Sequence, residues 1–117
     1  MDPRKNLAYT TVATAPSPAT SGTSLVLSTG HGSRFPTTAQ GPWNATIWPT
    51  GEIPHAGNAE IVRVTARSTD TLTIVRAQEG TSARAVVSGD QIAATITNKF
   101  LDEIEASANL MNYLMFK

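Results

Sequence analysis

The sequence predicts a mainly β protein: a small antiparallel β-sandwich or barrel at residues 23–97, preceded by an extended N-terminal arm at 1–22 and followed by a C-terminal α-helix at 98–117. Three observations carry this reading. Short β-branched runs separated by turn residues recur from Trp43 to Ile96, the pattern of a small all-β module. Residues 1–42 are rich in Thr, Ser, Ala, Pro and Gly. After Thr97 the apolar period changes from two to about 3.6 residues, the helical value.

In the arm, Pro16 and Pro18 stand two apart within an Ala/Thr/Ser stretch. Proline fixes φ and donates no hydrogen bond, which excludes a helix and disfavours a central strand. The segment is expected to be extended, either a loose terminus or an arm ordered against a neighbouring subunit. Thr23 to Ser28 reads as a strand, entered at Gly22 and left at Gly30-His31-Gly32. Trp43 to Trp48 alternates and stops at Pro49-Thr50-Gly51.

After a loop from Glu52 to Asn58, the runs Ala59–Ala66 and Thr71–Ala77 flank the polar turn Arg67-Ser68-Thr69-Asp70. Two β-branched runs around such a turn predict a hairpin. Glu60 and Arg76 lie on its two strands, so an ion pair across it is expected. Gln78-Glu79-Gly80-Thr81 is a second turn, with Gly80 free to take positive φ. Ala83–Val87, the Gly89-Asp90 turn and Gln91–Ile96 complete the β domain. Aromatic residues are only 6% of the chain, so Val, Ile, Ala and Thr must fill its interior.

Asn98 is a good N-cap for the last element, and Asp102, Glu103 and Glu105 fall where the helix dipole favours anions. Leu101, Ile104, Ala108, Met111 and Met115 follow a three–four spacing. That is an a/d seam, and it makes these five residues the candidate oligomer interface. Phe100, Leu110, Leu114 and Phe116 lie off the seam, as in a helix covered by more than one partner. The competing assignment is a single amphipathic helix packed on its own sheet.

Composition narrows the function. Nine Lys+Arg balance nine Asp+Glu, so the net charge is zero. A nucleic-acid binder needs a basic footprint, and a polybasic membrane anchor needs one too. Neither partner is expected. Charged residues are 15% of the chain, below the roughly 25% of soluble domains, which predicts a surface partly covered by protein neighbours. The absence of cysteine removes disulfides, thiolate metal sites and a Cys nucleophile. Met1 to Asn6 leads into no apolar run of the signal-peptide kind, and no segment reaches the roughly 18 apolar residues of a membrane span.

No catalytic constellation emerges. His31 and His55 sit in Gly- or Pro-containing loops, with no His, Asp or Glu at metal-ligand spacing. No nucleophile elbow, Walker loop or His-Glu-x-x-His occurs. No catalytic residue, metal site or cofactor is therefore expected. Asn44-Ala45-Thr46 matches a glycosylation sequon, a pattern common by chance. Trp43 and Trp48, five apart on one strand, point to opposite faces. At most one is then core, and the other is a candidate glycan-stacking or interface aromatic.

Ala59–Ala66, Asp70–Thr81 and Gly89–Ile92 resemble a module of tailed-bacteriophage structural proteins. In that module a Glu-Ile-Val-x-Val-Thr strand precedes a Thr-x-Thr-(Ile/Val)-x-Arg-x-Gln-(Glu/Asp)-Gly-Thr strand and turn. Residues 13–26, Arg34-Phe35-Pro36 and Asn44–Pro49 are similar to its upstream part, so the resemblance covers most of residues 7–105. It implies a non-enzymatic structural protein on the exterior of a virion, a trimeric capsid decoration or head-fibre-base protein contacting other virion proteins. The alternative it leaves open is a tail-fibre or baseplate adaptor. A carbohydrate-binding module using Trp43 or Trp48 is the alternative of another class.

Overall fold

A computed structural model describes residues 2–94, 97–98, 101–102 and 104–106. Six strands form a closed barrel: β1 (Tyr9–Thr14), β2 (Ser24–Leu27), β3 (Trp43–Trp48), β4 (Glu60–Ser68), β5 (Thr71–Gln78) and β6 (Gln91–Ala93). Their order around the barrel is β1-β2-β5-β4-β3-β6, and all six neighbouring pairs are antiparallel. Two 3-10 turns, His31–Arg34 and Thr38–Gln40, connect β2 to β3.

The barrel corrects the extended arm expected at 1–22 and the start of the β domain at 23. Tyr9–Thr14 is a strand that closes the barrel, pairing with β2 on one side and β6 on the other. Ala8, Thr10 and Val12 are buried, so the alternation is present but carried by small residues, one of them polar. The proline-containing stretch follows this strand and connects it to β2. At Gly22 a Cβ would lie 2.7 Å from the Pro16 Cβ and the Ser17 nitrogen, so the connection requires glycine there. Ala83–Val87 also departs from expectation. It is an extended loop rather than a strand, although Val86 is fully buried and donates its N–H to the Ala19 carbonyl.

The β4–β5 hairpin forms as predicted, around a tighter turn at Thr69 and Asp70. Its register shifts twice, between Ile61 and Arg63 and between Val64 and Ala66. At the first shift Ala77 takes φ 53, the left-handed conformation that marks a β-bulge. Inward positions alternate over residues 60–64 of β4 and 71–75 of β5: Glu60, Val62 and Val64 face Leu72 and Ile74. They meet Leu25, Leu27, Ala45, Ile47 and Ile92 in one core. Burying each large aliphatic side chain contributes about 1.5–3 kcal/mol. Phe35, from the loop, stacks on Trp43 with centroids 5.5 Å apart and planes at 16°, filling the lumen that the small side chains leave.

Residues 98, 101–102 and 104–106 are helical. The remainder of the helix expected at 98–117, including Ala108, Met111 and Met115, lies outside the described residues.

Candidate functional site

The inward pattern places a charge in the barrel. Glu60 is fully buried and Arg76 nearly so. Arg76 Nε and Nη2 donate to Glu60 Oε2 and Oε1, both at 2.8 Å. The main-chain N–H groups of Ala77 (2.9 Å) and Arg84 (3.0 Å) also donate to the carboxylate. Arg76 spends its other donors on the carbonyls of Ala19, Gly22 and Arg84. All five guanidinium N–H bonds are thereby used. Burial alone would push the Glu60 carboxyl up. The Arg76 hydrogen bonds, the two main-chain donors and the guanidinium charge outweigh it and hold the group below its ordinary value. The cluster ties the 19–22 connection, β4, β5 and the loop after β5 to one point. Arg84 in turn donates to the buried Asp90 at 2.8 Å.

Beside this cluster the Gln78–Thr81 turn is equally committed. Glu79 and Gly80 both have positive φ, 52 and 80, as in tight hairpin turns. The Thr81 hydroxyl donates to the Gln78 carbonyl at 2.7 Å and accepts from Ile61 N–H at 3.0 Å. Glu79 accepts from Asn44 Nδ2 at 2.6 Å, and Asn44 Oδ1 accepts from Arg63. Arg63 holds Asp2 at 2.6 Å, drawing the N-terminal residues against β4. Asn44 is buried and bonded at both ends of its amide. The sequon therefore offers no exposed acceptor nitrogen.

At the hairpin tip, Asp70 accepts from the main-chain N–H of Gly30 (3.0 Å) and Gly32 (2.8 Å). These two bonds hold its carboxyl below the usual aspartate value. Gly32 passes so close that a Cβ would lie 1.9 Å from the Thr69 carbonyl oxygen. His31, between the glycines, shares a hydrogen bond with Thr10. His55 accepts from Gly57 N–H within its own loop.

Trp43 and Trp48 do point to opposite faces, but both are buried, at 1% and 7% exposure. The expectation of an exposed or interface aromatic is corrected as far as exposure: in the single chain both rings are covered. Trp48 lies on the outside of β3 and is covered by Tyr9, with ring centroids 6.2 Å apart. Neither ring offers an open face for sugar stacking in the single chain. Of the predicted seam, Leu101 and Ile104 are exposed, at 51% and 41%.

A groove of about 680 Å³, which no sequence pattern announces, is lined by Lys5, Asn6, Leu7, Tyr9, Ser33 and Arg34. Its residues come from the N-terminal stretch and the first 3-10 turn, where no periodic pattern marks them. Among the described residues, no group of three or more His, Asp or Glu is placed to hold a metal ion, and no helix is long and apolar enough to cross a membrane. No family model matches the chain, and no curated protein matches it.

Proposed function

We propose that the chain is a non-enzymatic structural protein of a tailed-bacteriophage virion, a homotrimeric capsid-exterior decoration or head-fibre-base protein. The observation that carries this reading is the resemblance of Ala59–Ala66, Asp70–Thr81 and Gly89–Ile92 to a phage structural module. The chemistry of these residues agrees with a scaffold role. Glu60, Arg76, Glu79, Thr81 and Asp90 each hold another part of the barrel together. The low charge content and the exposed Leu101 and Ile104 suit a subunit completed by its neighbours. In the trimer, Leu101, Ile104, Ala108, Met111 and Met115 form the interface between copies. The fibre-like strand-and-turn motif favours a second position, a tail-fibre or baseplate adaptor.

Labelling purified particles with an antibody to the chain, and counting its copies by quantitative mass spectrometry, tests this. A decoration protein gives copies on the order of hundreds over the head, and a tail adaptor gives a handful at one vertex or the tail tip. A chain absent from washed particles refutes both positions.

A further inference from the structure

Six of the described carboxylates are already engaged. Asp2, Glu60 and Asp90 pair with arginines, Asp70 holds two glycine N–H groups, and Glu52 and Glu79 accept from asparagines. Asp102 and Glu105 are exposed and carry no hydrogen bond or ion pair among the described residues. They stand three apart on the helical segment, beside the exposed Leu101 and Ile104, also three apart. Residues at this spacing share a helix face.

The groove beside β1 has the opposite character. Lys5 donates to the Ser33 carbonyl and Arg34 to the Tyr9 carbonyl, so among the described residues both cations meet neutral oxygens and no carboxylate. Between them stand Tyr9, 44% exposed, and Leu7, 91% exposed. Leu7 also holds φ 57, a strained conformation for a bulky side chain in no regular element. Two cations around two apolar groups thus match two anions beside two apolar groups. Among the described residues, none of the C-terminal helical segment lines the groove of its own chain.

We infer that the groove formed by Lys5, Leu7, Tyr9 and Arg34 is the docking site for Leu101, Asp102, Ile104 and Glu105 of the C-terminal helical segment of a second copy of this chain. The two surfaces differ, so the contact is head-to-tail, and such contacts close into a ring when the rotation permits. The inference rests on the homotrimer proposed above and specifies what the start of the seam meets. Leu101 and Ile104 lie against the neighbouring barrel, with Asp102 and Glu105 facing Lys5 and Arg34, which leaves Ala108, Met111 and Met115 to the helices.

Light scattering of the full chain and its charge variants tests the inference. The wild type is expected at about three times 12.4 kDa. K5E/R34E, and separately D102K/E105K, are expected to fall to the monomer mass at the same micromolar concentration with an unchanged far-ultraviolet spectrum. The four-fold variant, which reverses both surfaces, is expected to regain the trimer. Lost assembly without regain in the four-fold variant overturns the pairing. A trimer that persists in K5E/R34E overturns the groove and leaves the homotrimer standing. A monomeric wild type overturns both. A wild type that stays monomeric and sediments with phosphatidylglycerol vesicles overturns the inference in favour of an anionic surface as the occupant.

Discussion

Replacing Glu60 by glutamine alters little volume but places an amide where a carboxylate accepted four hydrogen bonds. Two of those donors belong to Arg76 and two are main-chain N–H groups of Ala77 and Arg84. The amide nitrogen cannot accept, so one pair of donors faces another donor, and the Arg76 charge stays buried without its counter-charge. Breaking one partner of a buried pair costs about 3–5 kcal/mol. A domain of this size has a total stability of about 5–15 kcal/mol, so the loss is a large fraction of it. With an m value of about 2 kcal/mol/M in urea, the unfolding midpoint at pH 7 should fall by about 2 M. Arg76→Lys retains the charge but has three donors for five acceptors, and should lose a smaller amount. A midpoint shift for E60Q below about 0.5 M, equivalent to about 1 kcal/mol, would refute the view that this cluster holds the barrel together.

The same carboxylate sets an acid limit. Its folded value lies below the ordinary 4.5, so its contribution is complete above that value and is lost as pH falls through the folded value. Urea midpoints of the wild type should therefore decline below about pH 4.5, while those of E60Q change less across the same window. Gly32→Ala drives a methyl into the Thr69 carbonyl and through the Asp70 contacts; calorimetry should show a lowered Tm corresponding to about 2 kcal/mol or more. Phe35→Ala removes the ring that stacks on Trp43 in the lumen, with an expected loss of about 3–5 kcal/mol in the same urea titration. Expression in a glycosylating host should leave Asn44 unmodified in the folded protein, since its amide is buried; an added glycan mass at Asn44 would contradict that.

The parts of this fold readable from sequence are those where large aliphatic residues alternate. Val62, Val64, Leu72 and Ile74 announce the β4–β5 hairpin, and the same parity puts Glu60 on the inward face. The Glu60–Arg76 pair is legible as far as the two residues lie on strands that pair, but Arg76 meets Glu60 diagonally, across the register shift between Ile61 and Arg63. The bulge at Ala77 is invisible because it depends on a non-glycine residue taking positive φ. β1 is missed because its buried positions, Thr10 and Val12, and the buried Ala8 just before it are too small or too polar to stand out beside two prolines. Ala83–Val87 has strand composition, yet its main chain is recruited by side chains instead. The Arg84 N–H and carbonyl are taken by Glu60 and Arg76, and the Val87 N–H by Asp90. The burial of Trp48 depends on Tyr9, 39 positions away in sequence, a contact that only barrel closure creates. The groove at Lys5 and Arg34 draws on two irregular segments and has no periodic signal at all.

Closure of the barrel has a consequence for how the molecule meets others. Among the described residues each of the six strands has a hydrogen-bonded neighbour on both sides, so no edge strand is presented along its full length as a template for another chain. Only short stretches stay open, such as residues 65–68 of β4, which extend beyond its ladder with β3. Strand addition is thereby restricted, and recognition falls mainly to side chains and loops, where single substitutions can change a partner without touching the framework.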